Sequence, residues 1–408
     1  MTRATPVPLP PASSPRARRL PPKAAFLLKA SIALSFLAGS AAPTPLYAVY
    51  QAQWGFSSTM LTVVFGVYAL AVLLALLVAG RLSDHVGRRP VLIAAAAAQA
   101  LTMVVFASAT GVGDLLLARV LQGLSTGAAV AAVGAGLLDL DRTRGAVANA
   151  VAPMLGTALG GILAGSLVQY LPQPTHLVYA VMGAVFVLQG VAVLFVSETA
   201  ERRPGALGSL RPQLSVPAPV LKPLLLVTPA IVASWAVAGF YGSLGPTLLR
   251  SLAGSASFLL GGLALFILAG SGALAVLALQ QRSAQWLLRI GTSVLPAGLA
   301  VVMVALALRS VALFLVGTAI AGAGFGTAFQ GALRTLVGPL APHQRAGVLS
   351  VLFIVSYLAM GVPAVVAGWR LAQGGEILAI AQAFDGVVLA LALMALLGSF
   401  ARREAVVA

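Results

Sequence analysis

Cysteine is absent from the 408 residues, which removes disulfides and thiolate metal sites as ways of holding this chain together. Charge is scarce as well. Asp, Glu, Lys and Arg make up 8% of the chain, where a soluble domain carries roughly 25%. Acids are the scarcest, nine against 25 bases. His85, His176 and His343 each stand alone on a different predicted connection, and none forms the i, i+4 pair that a helical metal site uses. With no paired nucleophile and base and no metal cluster, enzymatic chemistry lacks its groups. No cofactor and no metal are expected.

What fills the chain instead is apolar. Hydrophobic residues account for 60% and mean hydropathy is +1.01, the composition of a membrane protein. Each crossing needs about 20 apolar residues, and apolar runs fall near 26–48, 58–80, 90–110, 114–138, 146–170, 177–196, 223–247, 255–279, 288–308, 311–335, 346–370 and 378–400. Twelve helical spans fit, with the lipid bilayer as solvent.

The net charge of +16 does not imply nucleic acid, because the basic residues are scattered singly between spans. Connections on the side of the termini hold Arg81, Arg88, Arg89, Arg142, Arg144, Arg202, Arg203, Arg211, Lys222, Arg282 and Arg345, and the other side holds Arg250, Arg309 and Arg370. This asymmetry predicts a multi-pass protein of the inner or plasma membrane with both termini in the cytoplasm. Arg16, Arg18, Arg19 and Lys23 before an apolar run imitate a signal peptide. The long Pro-rich leader and the interrupting Lys29 favour a retained first span.

The domain reading is a disordered tail at 1–24, a six-span half at 25–196, a Pro-containing linker at 197–222, a second half at 223–400 and a tail at 401–408. An internal repeat supports the division. Arg144-Gly145-Ala146-Val147 at the start of span 5 recurs as Arg345-Ala346-Gly347-Val348 at the start of span 11.

The most specific feature is Gly80-Arg81-Leu82-Ser83-Asp84-His85-Val86-Gly87-Arg88-Arg89 between spans 2 and 3. Gly80 suits a close approach at the end of span 2, and Gly87 a turn that other residues resist. Span 4 carries Arg119, Gln122, Gly123, Thr126 and Gly127, with Arg119, Gln122, Gly123 and Thr126 at i, i+3, i+4 and i+7 on one helical face. An arginine inside a span is costly unless it faces the bundle or water, so Arg119 is expected to face a central cavity. Span 5 has two small-xxx-small pairs, Gly156 with Gly160 and Gly161 with Gly165, suited to tight helix packing.

The 80–89 loop fits the pattern G-x-L-x-D-x-x-G-R-[KR] and resembles the connection between helices 2 and 3 of the major facilitator superfamily of secondary transporters. Arg119 to Gly127 resembles the family's R-x-x-Q-G motif. Span 5 resembles in part the G-P-x-x-G-G motif of its proton-coupled exporters, with Gly161 where proline is expected. The resemblance implies an all-α membrane fold of twelve helices in two pseudo-symmetric halves, working by alternating access and sufficient as a monomer. It also implies a gate in which Asp84 meets the start of span 11 and an arginine of the loop, Arg88 or Arg89, meets Asp139 or Asp141.

Cavity candidates besides Arg119, Gln122 and Thr126 are Tyr47 on span 1, Trp235 and Tyr241 on span 7, Phe329 and Gln330 on span 10, and Tyr357 on span 11. Tyr50 and Trp54 fit an interfacial aromatic belt, and Asp385 is placed at the membrane interface. The function expected is efflux of a small amphipathic or drug-like molecule in exchange for protons. The alternative is uptake or facilitated diffusion of a small organic anion drawn to Arg119. A receptor or membrane enzyme built on the same fold is a remote third.

Overall fold

The computed structural model describes residues 19–407, without side chains at 342–343 and from 399 onward. The leader 1–18, which carries most of the expected disorder, lies outside these residues, as do the side chains of the tail at 401–408. All regular structure among the described residues is helical. That is what an apolar chain without water requires, since only a helix satisfies every backbone N–H and C=O within its own segment.

Among the described residues, twelve helices are long and apolar enough to cross a membrane: Pro22–Trp54, Ser58–Ala79, Arg88–Ala107, Val112–Leu140, Arg142–Tyr170 and Pro174–Val193, then Ala218–Ser243, Phe258–Ala278, Ala284–Ala307, Val311–Val337, Gln344–Ala372 and Ile377–Gly398. They are spans 1 to 12 below. Local chemistry sets several starts. Ser57, Ser283 and Ser310 each accept a backbone N–H from the first turn of spans 2, 9 and 10, the usual N-cap role. Span 1 begins at Pro22, earlier than the expected tail boundary, and is interrupted at Ala42 ahead of Pro43. Span 7 ends at Ser243, and a short helix, Gly245–Ala253, follows it.

The packing scheme repeats. In the first half span 1 lies on span 5, span 2 on span 4, and span 3 on spans 4 and 6; in the second half span 7 lies on span 11, span 8 on span 10, and span 9 on spans 10 and 12. The halves meet along two seams that also correspond, span 5 on span 8 and span 2 on span 11. Twelve helices in two related six-helix halves are therefore present in the contacts themselves.

Glycine makes these approaches possible. A β-carbon on Gly156 or Gly160 would sit 2.1 or 2.2 Å from the carbonyl oxygens of Leu34 and Ala38 on span 1. On the other side of the same helix, Gly161 and Gly165 meet Gly262 and Phe258 of span 8. The two small-xxx-small pairs thus serve different neighbours, one inside the half and one across the seam. Gly123 and Gly127 bring span 4 onto Ala71 and Ala75 of span 2. At Gly80 the crowding atom is the carbonyl of Leu76 in its own helix, so the expected approach to a neighbouring backbone is not what this glycine serves.

The halves are pinned together at the face opposite the termini. Thr44 donates to the Gly242 carbonyl, 3.2 Å, and Gln169 at the end of span 5 accepts the Phe258 N–H that opens span 8, 2.9 Å. On the second seam Thr62 and Ser58 at the start of span 2 crowd Gly368 near the end of span 11.

Gly160→Val places branched carbons against a carbonyl that cannot retreat, an overpacking cost on the order of 1–3 kcal/mol. Gly183→Ala meets only ordinary contact, 3.4 Å from Met103 Cβ. Thermal unfolding in detergent is expected to fall clearly for Gly160→Val and hardly at all for Gly183→Ala.

Candidate gate and central site

Two polar constructions stand out, one at the face of the termini and one inside the first half. At the terminal face the 80–89 segment forms a five-residue helix, Leu82–Val86, and turns at Gly87 with φ +104°. Arg88 then gathers the loop. Its Nη1 donates to Ser83 Oγ, 2.7 Å, and pairs with Asp84, while Nε bonds Asp139 Oδ2 at the end of span 4, 3.2 Å. Of the two acids expected to meet an arginine of the loop, Asp139 is the one that Arg88 meets. Asp141 does something else: Oδ1 accepts the N–H groups of Thr143 and Arg144, 3.0 and 2.9 Å, and so caps span 5.

Asp84 departs from expectation. Its partner is Arg88 in its own half, and no bond joins it to the start of span 11 among the described residues. The reason is geometric, because the hydrogen bonds described between the halves lie at the other face. The start of span 11 is met instead by the linker, where the Ser215 carbonyl occupies the space a β-carbon on Gly347 would need.

The linker is also the largest surprise at this face. Glu198 accepts the N–H groups of Arg88 at 2.8 Å and Arg89 at 3.0 Å, and those of Thr199 and Ala200 at 2.9 and 3.1 Å. It therefore caps span 3 from more than a hundred residues away. Burial raises the Glu198 pKa, but the four backbone donors outweigh burial and hold the carboxyl below the ordinary glutamate value. Thr199 bonds Asp139, 2.9 Å, Arg203 N–H donates to the His85 carbonyl, 2.9 Å, and the His85 ring meets the Pro204 carbonyl, 3.1 Å. Arg89 keeps a buried Nε without a partner.

Inside the first half Arg119 is 1% exposed. Nε donates to the Tyr47 hydroxyl, 2.8 Å, with Nη2 on the same oxygen, and Nη1 bonds the Ser40 carbonyl, 2.9 Å, and Gln122 Oε1, 2.5 Å. The rings of Tyr68, Tyr47 and Phe106 lie 5.1, 5.4 and 5.8 Å from its Cζ. Gln122 Nε2 donates onward to the Gly39 carbonyl, 3.0 Å. That carbonyl is free because the residue four ahead is Pro43, which has no N–H to offer. The span 1 interruption therefore supplies one of the acceptors that the span 4 motif consumes. Thr126 faces Ser40, 3.5 Å between hydroxyls. The guanidinium is buried within the first half, enclosed in this conformation by neutral partners.

In the second half Trp235 packs against Phe329, centroids 5.4 Å apart, and Tyr357, 5.1 Å. Trp235 and Tyr357 also pack on Phe65, Ala69 and Met360, which places the cluster on the seam between spans 2 and 11. Trp235 Nε1 is buried without a partner. Gln330, with its amide oxygen turned to Arg334, accepts from Nε and Nη2, 3.0 and 3.3 Å. Tyr241 lies apart from this cluster, its hydroxyl 2.8 Å from that of Thr318 and its ring stacked on Phe314.

Three placements differ from expectation. Tyr50 is not a belt residue but is 1% exposed, because it faces span 6, where its hydroxyl bonds that of Tyr179, 3.1 Å. Asp385 is not at the interface but buried, 6% exposed. Lys29, passed over as a mere interruption of span 1, is 1% exposed and donates to the Gly136 carbonyl, 3.0 Å; a charge in an apolar run was the available signal. Glu198 offered no such signal, because its role depends on a distant helix end.

Loss of Glu198 tests the linker's hold on the loop. Its pKa is lowered on folding, so the bonded carboxylate adds stability above the ordinary glutamate range and loses it as pH falls through the lowered value. Glu198→Ala is expected to lower thermal stability modestly near neutral pH, about 0.5–1 kcal/mol as for other caps at solvent. The gap to the parent should shrink in melts taken progressively below about pH 4.

Comparison with known proteins agrees with this geometry. The model of the Major Facilitator Superfamily matches residues 30–364. Multidrug resistance protein MdtL of Klebsiella pneumoniae subsp. pneumoniae is 30% identical over 171 residues, 40% of this chain and 41% of that protein. The class C tetracycline resistance protein of Escherichia coli is 32% identical over 158 residues, 37% of this chain and 39% of that protein. The chain thus spans about two fifths of the curated relatives it matches. Among solved structures, the xylose transporter XylE from E. coli in a partially occluded inward-open conformation superposes with TM-score 0.70 at 14% identity, covering 91% of this chain and 96% of that one. The human organic anion transporter MFSD10 (TETRAN) gives 0.69 at 18% identity, covering 93% and 100%. Fold and family are those of transporters rather than enzymes. This chain is a multi-pass membrane protein that belongs to the Major Facilitator Superfamily.

Proposed function

We propose that this transporter exports a small amphipathic or drug-like molecule in exchange for protons, from the inner or plasma membrane, with both termini in the cytoplasm. The observation that carries the proposal is the aromatic cluster of Trp235, Phe329 and Tyr357 on the seam between the halves. Aromatic faces with an unspent indole N–H suit a ligand that is flat and apolar with one polar handle. The drug-resistance activities named for the partial relatives point the same way. The orientation follows from the Arg asymmetry of the connections.

Arg119 serves this reading as a positioning residue. Its donors are spent on Tyr47, Ser40 and Gln122, which fixes Tyr47 and keeps span 1 on span 4. A substrate anion would have to displace those bonds, so facilitated diffusion of an organic anion is the weaker reading. In the gate, Asp84 is free to exchange Arg88 for the start of span 11 when the terminal face closes, while Gly87, Arg88, Arg89 and Asp139 keep the loop folded. The energy suffices: one proton crossing 100 mV supplies about 2.3 kcal/mol, a gradient near fifty-fold. The fold operates as a monomer in this scheme.

Inside-out vesicles energised with a proton gradient provide the test, using lipophilic cations, neutral drugs and small organic anions. An amphipathic compound is expected to accumulate, to be lost on adding a protonophore, and to accumulate roughly tenfold less with Trp235→Ala, the equivalent of about 1.4 kcal/mol at one aromatic contact. Equilibration of anions without accumulation of any compound would replace export by facilitation.

A further inference from the structure

Of the nine carboxylates in the chain, Asp385 is the one buried among the described residues. It lies on span 12 eight residues past Ile377, about 12 Å along the helix. Its Oδ2 is buried without a hydrogen-bond partner, and none of the ion pairs among the described residues includes it.

The surroundings are apolar. Phe384 packs on Phe240 of span 7, centroids 4.5 Å apart, and Met303 of span 9 lies against Gly386. Tyr241 of span 7 is the titratable group within electrostatic reach, and its hydroxyl is engaged with Thr318. The charges on the other neighbouring elements are spent elsewhere. Arg250, on the short helix after span 7, donates to the Pro246 carbonyl, 3.2 Å, and lies over Phe258. Arg309, after span 9, pairs with Glu376 at 3.5 Å, and Arg370 of span 11 is exposed.

A lone carboxylate taken from water into such surroundings is far costlier as an anion than as a neutral acid. Asp385 is such a carboxylate. The stretch of span 7 beside it is the stretch that closes one face of the molecule. Gly242, next to Tyr241, accepts the Thr44 bond from span 1 and leaves no room for a β-carbon beside the Phe65 ring of span 2. Immediately beyond, at Leu244, the helix is interrupted before Gly245–Ala253 resumes.

We propose that Asp385 is a proton-binding site whose occupancy is linked to closure of the face opposite the termini: protonated while the end of span 7 is docked on spans 1 and 2, ionised once that face opens and water reaches the carboxyl. The inference rests on the alternating-access reading and adds to it the residue through which protons act. Because closure takes up a proton, acid favours the closed face and alkali the open one, by linkage.

The natural absence of cysteine makes the test direct. Spin labels on Gln53→Cys in the first half and Ser251→Cys in the second, both exposed at the closing face, report opening by double electron–electron resonance of the full chain in lipid nanodiscs. With Asp385 present, the long-distance population is expected to grow as pH is raised from about 5 to about 9, across the range of a buried carboxyl. Asp385→Asn is expected to lose that response and stay at the short distance, and Asp385→Glu to keep it with a displaced midpoint. A response that survives in Asp385→Asn, is lost in both variants, or is missing from the parent overturns the proposal. Vesicle transport is a separate readout: labels that behave as expected in a protein that accumulates nothing would leave Asp385 standing and remove the exporter reading.

Discussion

Arg119 brings a full positive charge into a bundle that gives it no carboxylate, and much of the first half is arranged to make that tolerable. Its donors find the Tyr47 hydroxyl, the Ser40 carbonyl and Gln122, and three aromatic faces surround it. Span 1 has a spare acceptor there, the Gly39 carbonyl that Gln122 takes, because Pro43 has no N–H to offer it. Beyond Pro43, Tyr50 bonds Tyr179 of span 6. One proline, one arginine and one glutamine thereby fix how spans 1 and 4 lie together, and the glycines of span 5 bring it onto that pair.

Charge is handled differently at the two ends of the molecule. At the face of the termini it is abundant and paired, with Arg88 joining Asp84 and Asp139, and Glu198 capping span 3 from the linker. The linker is bound to the 80–89 loop at one end and rests on the start of span 11 at the other. In the membrane interior charge is rare. The cations Lys29 and Arg119 in the first half and the acid Asp385 in the second are each buried, and each is an arrangement that lipid alone would not sustain.

Much of this was legible in the sequence because it follows from periodicity and solvent. Twelve apolar runs had to become twelve helices, Arg119, Gln122 and Thr126 shared a face by spacing alone, and the 80–89 loop carried its family pattern. The remainder needed the third dimension. Which acid Arg88 would choose depended on whether Asp139 or Asp141 was free, and Asp141 was committed to capping span 5. Glu198 gave no local sign that it would serve span 3. Asp385 was misplaced although the expected start of span 12 lay within one residue of Ile377, because its burial comes from the packing of spans 7 and 9 on that helix, which no local pattern announces.

The central claim is that the halves open alternately, and that the contact of Thr44 with Gly242 closes one face at rest. The most direct check is the reactivity of Thr44→Cys, in the otherwise cysteine-free chain, toward a membrane-impermeant thiol reagent added at the face opposite the termini. Alternating access predicts protection at rest and rapid labelling during turnover with a transported compound. Equal labelling with and without turnover would contradict it.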